Sequence, residues 1–149
     1  MTKGWVLAID QGTTGTTVLA LDASGTIRGR GYAELPQHFP KPGWVEHEPE
    51  EIWSSVLAAA KRAVAASKLP PGRLAAIGIT NQRETTVLWD RESGRALGRA
   101  VVWQDRRSVA ICDELRKRRL EPEFRRRTGL VLDPYFSGTK LAWILEHVP

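Results

Sequence analysis

A chain of 149 residues, 42% hydrophobic and 26% charged, is long enough to bury a sizeable core within one globular domain. No apolar run approaches the ~20 residues of a membrane span, Met1-Thr2-Lys3-Gly4 lacks the apolar stretch of a secretory signal, and Cys112, being alone, excludes an internal disulfide. The expectation is a cytoplasmic protein without a membrane partner. Net charge is +5, and Arg95 to Arg127 concentrates it, with eleven Lys or Arg against five Asp or Glu. No nucleic-acid motif surrounds these runs and only Phe124 interleaves them, so they read as solvated helix faces and no nucleic-acid partner is expected.

In chain order, Trp5 to Ile9 is a short apolar strand ending in the polar loop Asp10 to Thr16. Thr17 to Leu21 resumes strand composition, Asp22 to Gly25 is a hairpin turn, and Ile27 to Leu35 is a third strand whose Gly and Arg content suggests a sheet edge. Pro36 to His47 reads as a loop in which Trp44 is a packed anchor. Pro49 opens a helix with Glu50 and Glu51 in its first turn, where they suit the positive end of the macrodipole. Its buried stripe runs through Ile52, Val56, Ala59, Ala60, Ala63 and Val64, and Pro70-Pro71-Gly72 ends it. Leu74 to Thr80 reads as an inner strand, and Thr85 to Trp89 and Arg99 to Trp103 as two more. From Ser108 the pattern is helical, with Val109, Cys112, Leu115 and Leu120 on one face, and Ser137 to Glu146 is a last helix. An antiparallel strand meander followed by helices and further strands predicts an α/β fold of the ribonuclease H-like or actin-like type, N-terminal part only. Pro149 directly follows a helix with no closing strand, which suggests a cut chain.

Two segments carry candidate chemistry. Asp10 stands where the first strand ends, a usual ligand position in open α/β sheets. Gly12 and Gly15 allow backbone N–H groups close to an anion, and Thr13, Thr14 and Thr16 bring hydroxyls for phosphate oxygens. Asp10 is the candidate catalytic residue and Mg²⁺ ligand, directly or through water. The plain alternative is a hairpin whose turn happens to be rich in Gly and Thr. The second segment is Asn81-Gln82-Arg83-Glu84-Thr85. A small polyol needs both an acceptor such as Glu84 and a donor such as Arg83, but strand neighbours face opposite ways, so both reach one ligand only where the backbone bends. Trp103 offers an aromatic face for the carbon side of a polyol, and Tyr135 a hydroxyl. Each alone also reads as core or as an exposed turn. His38, His47 and His147 show no metal-ligand spacing.

Together these segments resemble the FGGY family of sugar kinases, and within it the kinases that take glycerol. The resemblance runs through Ala8 to Thr14, Pro42 to Trp53, Gly78 to Thr85, Val102 to Arg106 and Thr128 to Leu141, in order and over essentially the whole chain. It implies two actin-like domains closing on ATP and Mg²⁺, with residues 1–149 an incomplete first domain and the nucleotide-binding domain absent. Gly12, Thr13, Thr14, Gly15 and Thr16 would then lie along the nucleotide phosphates and Asp10 at the metal. Arg83, Glu84, Trp103 and Tyr135 would line the glycerol site of a homo-oligomeric parent enzyme. The family's phosphate loop often continues Ser-Ser-Arg, whereas here it reads Gly15-Thr16-Thr17, without the arginine. The aspartate that serves relatives as general base falls beyond residue 149. The alternatives are another polyol or sugar kinase of the family, or a non-catalytic basic binding domain.

Overall fold

The computed structural model describes residues 4–148. In chain order its elements are β1 (Trp5–Gln11), β2 (Gly15–Leu21), β3 (Ile27–Glu34), β4 (Glu46–His47), α1 (Pro49–Ser67), β5 (Leu74–Asn81), β6 (Ala100–Val101), α2 (Val109–Lys117), α3 (Glu121–Thr128) and α4 (Ser137–His147). They divide between two compact units, Met1–Gln37 with Pro49–Gln82, and His38–Glu48 with Arg83–Pro149.

The first unit is a four-stranded sheet of order β3-β2-β1-β5. β1, β2 and β3 form the expected antiparallel meander, and β5 runs parallel to β1. Asp22 organises the β2–β3 turn, accepting from the backbone N–H groups of Ser24 and Thr26 and from Arg28. Period-2 alternation sends Leu7, Ile9, Val18, Ala20 and Ala33 to one face, where they meet Ala59 and Ala63 of α1. The fully buried positions of α1, Ser55, Ala59, Ala63 and Ser67, repeat every four residues. That stripe is narrower than the sequence implies; Ile52, Val56, Ala60 and Val64 are only half-buried. The helix gives way at Lys68, whose φ of 55° is left-handed.

The glycines of β3 lie under this helix. A Cβ at Gly31 would sit 2.0 Å from the Ala59 carbonyl oxygen, so the strand and α1 touch backbone to backbone. β3 is indeed an edge strand, but its glycines serve packing. β5 corrects the expectation of an inner strand. It occupies the other edge, and all eight of its residues are exposed, Ile77 at 53% and Ile79 at 71%. Its apolar composition was a sound sign of a buried strand, yet α1 lies over β3 and β2 and leaves β5 uncovered.

In the second unit the strands are shorter than predicted. Arg99 to Trp103 reduces to β6, paired with β4 inside the segment read as a loop, and Thr85 to Trp89 reduces to bridges at Thr86 and Trp89. The single predicted helical face through Leu120 splits in two, because Arg119 turns left-handed at φ 58° between α2 and α3. A buried ion network joins the Trp103–Arg107 turn to β4. Asp105 accepts from the Val45 N–H at 2.7 Å and from Arg107 Nη2 at 2.9 Å, while Arg107 Nη2 also donates to Glu46 at 2.7 Å. The Arg107 guanidinium stacks 3.8 Å from the Trp44 ring, which packs edge-on against Trp143, so Trp44 is the loop anchor expected.

Candidate active site

The loop between β1 and β2 is a tight hairpin, closed by the Gly12 N–H donating to the Gly15 carbonyl at 2.9 Å. Thr13 and Thr14 form its tip, and the Thr14 carbonyl is held by the Leu35 N–H at 3.0 Å. Gly15 is required by packing, since a Cβ there would lie 2.5 Å from the Tyr32 hydroxyl. Asp10 is exposed on the sheet face opposite α1, and its register neighbours on that face are Thr17 and Thr80. Thr16 departs from its expected role. Alternation turns it toward α1, where it is fully buried and its hydroxyl donates to Ser55 Oγ at 2.8 Å, Ser55 itself donating to the Ile52 carbonyl. The Gly12 N–H is likewise engaged by the hairpin rather than open to an anion. Of the polar side chains of this turn, Asp10 and Thr14 are exposed, Thr13 is half-buried and Thr16 is buried.

The bend that the polyol reading requires is present. β5 ends at Asn81, and Glu84 has a left-handed φ of 65°, a costly conformation for a residue with a Cβ. Glu84 reaches the start of α4, where its Oε2 accepts from the Ser137 N–H at 2.8 Å and the Ser137 hydroxyl at 2.7 Å. The Ser137 hydroxyl holds the Glu84 carboxyl below its usual range against the opposing effect of burial, and the Lys140 and Arg83 charges add to this. Arg83 itself is exposed. Trp103 and Tyr135 meet edge to face, with ring centroids 5.7 Å apart, and Phe136 continues the wall 5.1 Å from Tyr135. Glu84, Trp103 and Tyr135 thus gather around the first turn of α4, joined by a carboxylate clasp and an aromatic pair. A cavity of about 460 Å³ nearby, lined by Ile111, Leu115, Phe124, Val131, Phe136 and Ala142, has Asp133 as its one charged wall residue and offers a polyol little to bond.

Two residues in this cluster were not singled out from sequence. Ser137 carries no sequence signal beyond its place at the start of a helix. Lys140 lies on the buried face of α4 with Thr139 and Ile144, has no solvent exposure, and donates from Nζ to the Tyr135 carbonyl. Burial pushes it down to about 8, against the pull of Glu84, Asp105 and Asp133. A lysine falling on the apolar stripe of a helix was the available signal.

The profile of the FGGY family of carbohydrate kinases, N-terminal domain, matches residues 5–149. A glycerol kinase of Brucella ovis is 58% identical over 147 residues, covering 99% of this chain and 30% of that protein. One of Trichlorobacter lovleyi is 59% identical over 145 residues, covering 97% and 29%. Among solved structures, Plasmodium falciparum glycerol kinase with ADP superposes with a TM-score of 0.88 at 32% identity, over 99% of this chain and 29% of that one. A Brucella ovis xyloylose kinase gives 0.87 at 29% identity, over 96% and 29%. The chain spans about 30% of the length of the curated relatives it matches. The α/β fold is the N-terminal part of an actin-like ATPase, and the chain belongs to the FGGY family of carbohydrate kinases.

Proposed function

We propose that the chain is the N-terminal part of a glycerol kinase, which transfers the γ-phosphoryl group of ATP to a primary hydroxyl of glycerol and releases ADP and glycerol 3-phosphate. The observation that carries this reading is the Glu84 bend: a left-handed residue places an ionised carboxylate at the turn that also bears Tyr135, beside Trp103. Glu84 accepts glycerol hydroxyls, Arg83 donates to them, and the Trp103–Tyr135 wall covers the carbon side. Fold similarity does not choose the acceptor, since the glycerol and xyloylose kinases superpose almost equally well. Sequence similarity supports glycerol, since these matches at 57–59% identity are named glycerol kinases.

Thr13 and Thr14 meet the nucleotide phosphates at the hairpin tip, and the ADP carried by the Plasmodium neighbour supports nucleotide use. Asp10 would hold Mg²⁺, directly or through water, and the cation would supply positive charge against the charge that develops on the transferring group. The donors present suit it. Asp10 is an exposed carboxylate, and a hard divalent cation takes carboxylate oxygen. We assign the general base and the adenosine-binding domain to parts of the parent enzyme outside residues 1–149, which form an incomplete first domain.

The parent is read as cytoplasmic and homo-oligomeric, binding neither membrane nor nucleic acid. No described helix is long and apolar enough to cross a membrane. Part of the basic charge is paired on its own helices, Arg126 and Arg127 with Glu123 and Arg116 with Asp113. An acceptor panel on the parent enzyme tests the assignment. Glycerol is expected to give the highest kcat/KM, and a pentulose or gluconate that outperforms it would reassign the substrate.

A further inference from the structure

We propose that the first turn of α4 positions the acceptor pocket, Ser137 fixing the direction of the Glu84 carboxylate and Lys140 fixing the backbone that carries Tyr135. The inference rests on reading Glu84 and Tyr135 as glycerol contacts. An ionised carboxylate offers two oxygens, and Ser137 occupies Oε2 with two donors, its N–H at 2.8 Å and its hydroxyl at 2.7 Å. Oε1 is then the oxygen aimed at a substrate hydroxyl. The clasp also restrains a side chain whose backbone already sits in a left-handed bend, so that little ordering is left to occur when the triol binds.

Lys140 stands three residues further on, on the same side of the helix. It is fully buried, and its Nζ donates to the Tyr135 carbonyl and lies 5.9 Å from the Tyr135 ring centroid. The extended Phe136 separates Tyr135 from the helix, and this bond ties the two together across it. The charged groups facing this turn are Glu84, Arg83, Asp105 and Asp133. Acceptor oxygen and aromatic wall are thereby referred to one rigid element.

Steady-state kinetics of the full-length enzyme with Ser137→Ala, Ser137→Thr and Lys140→Met test this. Ser137→Ala should raise KM for glycerol about tenfold, the scale of a lost bond to a charged group, while KM for ATP and kcat at saturating glycerol stay within about twofold. The acid limb of kcat/KM for glycerol should move to higher pH as Glu84 loses its strongest donor, and Ser137→Thr should restore both. Lys140→Met should raise KM for glycerol with the same indifference toward ATP. Wild-type glycerol KM and an unmoved acid limb in Ser137→Ala would overturn the proposal, as would equal losses toward glycerol and ATP with no rescue by threonine. Should Ser137→Ala not fold, Lys140→Met decides by the same split. If Glu84→Gln itself left glycerol kinetics unchanged, the pocket assignment would fall; an impaired Glu84→Gln beside an unaffected Ser137→Ala would sink only the positioning role.

Discussion

At Asp10 the sheet delivers one carboxylate to the face opposite α1, with Thr17 as its cross-strand neighbour. Thr17 stands where the resemblance to the family's phosphate loop implies an arginine. A guanidinium there would share a face with Asp10 and meet the phosphates with charge-assisted bonds. Thr17→Arg in the full-length enzyme should therefore lower KM for ATP by roughly 5- to 30-fold, the equivalent of about 1–2 kcal/mol, and leave KM for glycerol alone. An unchanged ATP KM would mean that the nucleotide phosphates do not lie along this face. The candidate side chains were legible residue by residue, because Gly, Thr, Asp, Arg and Glu in apolar surroundings stand out. Their partners were less so. That Thr16 bonds Ser55, 39 residues away, and Glu84 bonds Ser137, 53 residues away, are tertiary facts that no local pattern encodes.

Among elements, α1 and β3 show how tightly the first unit is built. Gly31→Ala would drive a Cβ into the Ala59 carbonyl, and two backbones cannot yield as a flexible side chain would. Overpacking of this kind costs about 1–3 kcal/mol, so the thermal midpoint should fall by roughly 2–12 °C, read by circular dichroism. No loss of stability would mean that helix and strand are further apart. In α4 the depressed Lys140 makes a pH prediction. Its folded value of about 8 lies below the unfolded value near ~10.4, so between these the unfolded chain holds the extra proton and stability gains as pH rises. The thermal midpoint of the chain relative to its Lys140→Met variant should climb from pH 7.5 to 10. A difference that is flat across that range would place the ammonium in water. Strand and helix identities in this chain followed largely from period; α4 fell within a residue of its expected limits, and α1 began at Pro49 and stopped before Pro70 as expected. The short strands of the second unit did not, because β4 and β6 are defined by pairing with each other across more than fifty residues rather than by alternation.

For the whole molecule, a meander followed by a helix and a further strand was readable as an α/β order, and the candidate residues Asp10 and Glu84 were placed by the ends of β1 and β5. The exposure of β5 was not readable, since its apolar residues look identical whether or not a neighbour covers them. This chain is proposed to carry the glycerol pocket of its parent enzyme, with Glu84 as the hydroxyl acceptor. The most direct test is the kinetics of full-length Glu84→Gln, which preserves shape and removes the charge. The expected result is a fall in kcat/KM for glycerol of roughly 5- to 150-fold, equivalent to about 1–3 kcal/mol, with KM for ATP within about twofold of the parent. Glycerol kinetics indistinguishable from the wild type would contradict the claim.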